Sequence, residues 1–207
     1  MDRAAPGLVA GVLVGRAVTM LSSPGGLHSL SDFLVIRGGA EFWAGTVAGG
    51  TAVAVGARRR RESPIAVLAD IAPYGLVGYG VYTATCVLRE GCYGPVSALG
   101  LRPPGTATTM VPVELLSGVA VLGVAYLLRN AWGLRPLAVL TAAVIALAAA
   151  RLAGAALLPN LDGRWTRSTV ESLAALAVAG GVGVVEAGAA RRRRCDLPAA
   201  AVRHPER

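Results

Sequence analysis

There is no lysine in this chain, and only two histidines and three cysteines occur among 207 residues. A phosphate-binding loop closed by Gly-Lys-Ser/Thr is therefore excluded. His28 and His204 fall far apart in polar segments, so no histidine triad or metal cluster is assembled within the apolar part of the chain. Cys86, Cys92 and Cys195 form no CxxC pair and have no histidine beside them, which removes a disulfide framework and a zinc site. Charge is scarce too: 15% of residues are charged against 54% hydrophobic, with a mean hydropathy of +0.58, a composition that excludes a water-soluble globule of this size.

What the chain has is long apolar runs. A helix needs about 20 residues to cross the hydrocarbon core, and six stretches approach that length, at roughly 4–21, 40–57, 64–88, 111–128, 134–158 and 169–189. A cleaved signal peptide is the rival reading of the first, but Arg16 interrupts its apolar run. The expected fold is thus all-α, a polytopic transmembrane bundle of about six spans. Residues 1–194 form a single membrane domain and 195–207 a polar cytoplasmic tail.

All basic residues are arginine, and they are clustered. Arg58 to Arg61, Arg129 with Arg135, Arg191 to Arg194, Arg3, Arg203 and Arg207 fall on one side of a six-span chain, 13 arginines against 5 on the other (Arg37, Arg89, Arg102, Arg164 and Arg167). The positive-inside rule then places both termini in the cytoplasm. Each arginine run abuts an apolar span and lacks interleaved aromatics, so the runs read as topology anchors and no nucleic acid is expected as a partner.

Small residues recur at helical spacing. Gly11 with Gly15, and Gly45 with Gly49, have the GxxxG interval that lets helix backbones approach closely in lipid, inside one bundle or across a dimer, of which the first is favoured. The 22 residues from Arg89 to Met110 are rich in glycine and proline and read as a structured cap or a lid. Ionisable groups at membrane depth are costly unless paired or hydrated, and the candidates are Arg16, Asp70, Glu114 and Arg151. Asp70 and Arg16 are expected either to pair with each other or to meet a ligand. Glu171 and Glu186, near span ends, carry little information. Cys86 and Cys92 are six residues apart, compatible with a disulfide in an oxidising compartment or with small buried thiols.

The order of the short motifs adds a resemblance. Gly11 to Arg16 (GVLVGR), then Ile36-Arg37-Gly38-Gly39 leading to Phe42-Trp43-Ala44-Gly45, resemble the G-x-R and W-x-G-G-x-x-F-H-G-G stretches of the bacterial prolipoprotein diacylglyceryl transferases. Leu68-Ala69-Asp70-Ile71-Ala72-Pro73 is similar to that family's L-A-D-x-x-A-P, and Gly91-Cys92-Tyr93-Gly94 to the glycine-rich end of the same helix. Pro112-Val113-Glu114-Leu115 resembles P-x-Q-L, and Trp165 to Ser172 occupies the place of the final motif. The match runs from about residue 11 to 189. Family members have seven spans, so the chain reads as a divergent member shortened at its N-terminus.

The resemblance implies transfer of the diacylglyceryl group of phosphatidylglycerol to the cysteine thiol of a secreted preprolipoprotein, at the outer leaflet of the bacterial plasma (inner) membrane, with no cofactor and no metal. Two family positions are changed: Trp43 stands where the histidine falls and Thr83 where an arginine falls, and a later arginine maps near Leu158 or Pro159. A divergent transferase would then hold the lipid headgroup with Arg16, Arg89 and Arg102, aided by Glu90 and Gly94. The alternative on the same fold is a non-catalytic lipid- or partner-binding membrane protein. A transporter is disfavoured, because inverted repeats and paired broken helices are absent from the sequence.

Overall fold

The structure, a computed structural model, describes residues 4–22, 41–89, 92–103, 105–131, 133–157 and 166–195; the side chains of Arg89 and of 189–195 fall outside the description. Glu90, Leu158, Pro159, the Ile36 to Gly39 segment and the tail beyond Cys195 also lie outside the described residues.

Among the described residues six α-helices appear, in near register with the six apolar runs: α1 (Ala5–Ser22), α2 (Phe42–Arg59), α3 (Pro64–Ala84), α4 (Val113–Asn130), α5 (Pro136–Leu157) and α6 (Arg167–Cys195). Five of them are long and apolar enough to cross a membrane; α2 is the exception. The fold is an all-α bundle of the multi-pass membrane type. Proline starts α3 and α5, where its missing N–H costs nothing. At the end of α2 the Arg61 N–H donates to the Arg58 carbonyl and the Glu62 N–H to the Ala57 carbonyl, with Arg61 at φ 60°, a left-handed reversal that hands the chain to α3. The run Arg191 to Arg194 is the last turn of α6 and not a loop, arginine being a residue type favoured at a helix C-terminus.

The α1–α2 contact is built from glycine. A methyl on Gly11 would lie 2.8 Å from the Gly45 carbonyl oxygen, one on Gly45 equally close to that of Gly11, and Gly7 and Gly49 repeat the reciprocal pairing. The expected GxxxG pairs therefore close an antiparallel intramolecular seam, along which backbones touch at Gly11 and Gly45, with the Val53 side chain over Gly7. Central α3 packs against α2, α4 and α5. Leu76, Val121, Ala125 and Ala143 form the core where α3, α4 and α5 meet, and Val53, Ala57 and Val67 a second cluster between α2 and α3.

The stretch after α3 is a structured cap. Thr85–Arg89 form a 3₁₀ turn, Cys86 is disulfide-bonded to Cys92 across a Cα separation of 5.8 Å, and a strand β1 (Val96–Leu101) folds back on the segment before α4. The Ser97 N–H donates to the Thr109 carbonyl (3.0 Å) and the Val111 N–H to that of Pro95 (3.1 Å). The strand is an element that the glycine and proline content concealed.

Alternation of the helices defines two ends. Arg58 to Arg61, Arg129, Arg135 and the end of α6 mark an arginine-rich end; the cap and the starts of α2, α4 and α6 mark the opposite one.

Candidate functional site

Residues from all six helices converge at the end opposite the arginines. Arg151, on α5, donates from Nη2 to the Ser168 hydroxyl at 2.6 Å and lies over the Phe42 ring, 4.6 Å from its centroid. Its Nε is buried and makes no hydrogen bond among the described residues. A guanidinium cannot shed its charge, so a buried donor of this kind calls for an acceptor. Trp43 Nε1 donates to the Ser172 hydroxyl (2.9 Å), which donates to the Ser168 carbonyl (2.7 Å), joining α2 to α6. Phe42 meets the Tyr79 ring at 5.2 Å, and the Tyr79 hydroxyl has Arg151 and Glu114 as charged neighbours.

A second layer lies at the rim. Arg167 forms an ion pair with Glu171 at 2.8 Å and donates to the Ser22 hydroxyl at 2.9 Å, a hydrogen bond between the start of α6 and the end of α1. Glu41, the residue before α2, donates its N–H to the Gly15 carbonyl (2.9 Å). Burial raises the Glu41 carboxyl above its usual 4.5; the hydrogen bond and charge of Glu171 raise it further, while Arg167 and Arg151 pull it down. Raised in the folded state, this group favours folding only where it is protonated, so its effect on stability turns unfavourable as pH rises from 4.5. Glu41→Gln is therefore expected to raise the thermal midpoint at pH 7, and the gain should vanish below pH 4.5; a pH-independent difference would show that the carboxyl is not perturbed.

The sequence-derived candidates separate on this frame. Glu114 and Arg151 belong to the cluster, and buried Arg16 follows Gly15, whose carbonyl holds Glu41. Asp70 does not: it is exposed on α3 about 13 Å down the helix from Tyr79 and lines a cleft at the arginine-rich end. The expected Asp70 to Arg16 pair does not form: α1 and α3 run parallel and make no contact with each other, and Arg16 lies late in the one while Asp70 lies early in the other. Arg102 is exposed and donates to the Ala107 carbonyl (3.2 Å), held by its own loop. Arg89 contributes only its backbone to the described structure. Gly94 is buried under Val113, with its N–H on the Val111 carbonyl (2.8 Å), and so anchors the cap to α4.

Thr83 also has a structural task. It is 4% exposed, its hydroxyl donates to the Tyr79 and Gly80 carbonyls, and it packs against Gly118 of α4. Thr83→Arg should not restore a lipid-binding cation: it should overpack the α3–α4 contact and lower the folded yield by an amount consistent with a penalty of about 1–3 kcal/mol or more. Wild-type yield together with stronger phosphatidylglycerol retention would refute this.

Glu41 and Tyr79 carry no motif in the sequence, Ser168 and Ser172 enter only as members of the Trp165 to Ser172 stretch, and Glu171 reads there as a span-end carboxylate. The available signal was the grouping of Glu41, Ser168, Glu171 and Ser172 around the starts of α2 and α6 at one end; Tyr79, late in α3, has none. No family model matches the chain, and no curated protein or solved structure matches it.

Proposed function

We propose that the protein is a divergent diacylglyceryl transferase of the membrane, moving the diacylglyceryl group of an anionic glycerophospholipid, phosphatidylglycerol, to the thiol of a preprolipoprotein cysteine. The observation that carries the reading is the Arg151 guanidinium, with its open buried Nε, at the point where the segments bearing the family resemblance meet: Phe42 and Trp43, Glu114, and Ser168 to Ser172. Arg151 binds the phosphodiester and steadies the leaving group. Glu41, its proton affinity raised by burial, takes the thiol proton. The thiolate attacks the glyceryl carbon, the carbon to oxygen bond breaks, and glycerol phosphate departs with the electron pair, leaving a thioether.

The non-catalytic reading draws on Trp43 and Thr83, both buried and both committed to internal hydrogen bonds where the family carries histidine and arginine. One assay separates the two. Purified protein is incubated in vesicles with labelled phosphatidylglycerol and a lipobox peptide, and thioether product is expected, with a rate that rises with pH above 4.5 as Glu41 ionises. Lipid retention without product would replace transfer by binding; loss of both would remove the lipid site.

A further inference from the structure

The L-A-D-x-x-A-P stretch takes no part in the site above. Its residues Ala69, Asp70 and Pro73, with Tyr74, line an open cleft of about 430 Å³ at the arginine-rich end, bounded across from them by Arg129 from the end of α4 and by apolar side chains such as Leu134 from the α4–α5 connection and the start of α5. Asp70 is a full turn inside an apolar helix, a depth at which a carboxylate is retained only with a counter-charge or hydration. Pro73, inside α3, brings no N–H to the Ala69 carbonyl one turn earlier, so this wall has a backbone acceptor lacking its usual helical donor next to the carboxylate. Arg129 supplies a fixed cation on the facing helix and lies over the Tyr74 ring, 5.6 Å from its centroid.

We infer that this cleft is a second lipid site, for a zwitterionic phospholipid with a primary ammonium headgroup. The ammonium would be held by Asp70 and the Ala69 carbonyl, and the phosphodiester by Arg129. A choline headgroup fits less well: it has no N–H to give to a carboxylate, and the aromatic face it would seek is covered by Arg129. An anionic glycerol headgroup fits less well again, since Asp70 repels it. The membrane lipid is favoured over a free headgroup because the walls between the charges are apolar, Leu134 among them 48% exposed. The site is independent of the transferase reading, as it shares no residue with the Arg151 cluster.

The test is native mass spectrometry of the full chain released from nanodiscs containing equal parts phosphatidylethanolamine, phosphatidylcholine and phosphatidylglycerol. A retained phosphatidylethanolamine adduct is expected, reduced at least five-fold in both Asp70→Asn and Arg129→Gln and unaffected in Arg151→Leu. Leu134→Trp, which fills the cleft without touching a charge, should displace the same adduct, so the idea stays testable should a charge variant fail to fold. Soluble glycerophosphoethanolamine added in excess should not compete; if it does, the headgroup alone is the ligand and the lipid assignment falls. An ethanolamine adduct unchanged in all three cleft variants would overturn the site altogether.

Discussion

Arg151→Leu is expected to lower thioether formation by about 100-fold or more, because one preorganised electrostatic contact to a developing anion has that value in a water-poor site. The loss should appear with phosphatidylglycerol retention reduced, since the same cation holds the ground-state phosphodiester. Arg151→Lys should recover only part of it: an ammonium keeps the charge but cannot contact Ser168, the Phe42 face and a phosphate together as the planar fork does. Ser168→Ala frees the guanidinium without removing it and should cost less than either. The readouts are product yield per mole of folded protein and circular dichroism melts of each variant. Equal activity in Arg151→Leu and wild type would end the assignment of this cluster to phosphate binding.

The second large effect lies in the glycine seam. Gly11→Val and Gly45→Val should each sharply reduce the folded yield, because the new Cβ would approach a carbonyl oxygen of the facing helix to 2.8 Å, and two backbones cannot yield as a flexible side chain would. The controls are Gly56→Ala and Gly75→Ala, where the added methyl meets nothing within 4 Å. These should be neutral or slightly stabilising, as alanine is the better helix former by about 1 kcal/mol. Thermal melts in one detergent decide the matter: comparable losses at all four positions would mean that glycine serves backbone flexibility and not close approach.

The bundle was legible because length and apolarity suffice to mark a span, and the glycine pairs were legible because their interval has one physical use. The site was not. Trp43 and Ser172 are 129 residues apart, and nothing in either neighbourhood announces their hydrogen bond. Glu171 reads as a span-end carboxylate that water or snorkelling would satisfy, until Arg167 and Glu41 are placed beside it. The Asp70 to Arg16 pairing failed for a reason already present in the span order: Arg16 is late in the first helix and Asp70 early in the third, which puts them at opposite ends. Polarity at depth picks out individual residues, but only depth measured from a common face tells which of them can meet.

In α2, glycines at 45, 49, 50 and 56, threonines at 46 and 51, and Arg58 with Arg59 leave the helix short of the length and apolarity that mark the other five as spans. What it offers instead is a smooth flank matched to α1. The close glycine seam makes α1 and α2 one helical hairpin, so that the place of α2 depends on α1. A lesion in α1 that touches no residue of the Arg151 cluster would then be felt there through α2, which carries Phe42 and Trp43 and begins right after Glu41.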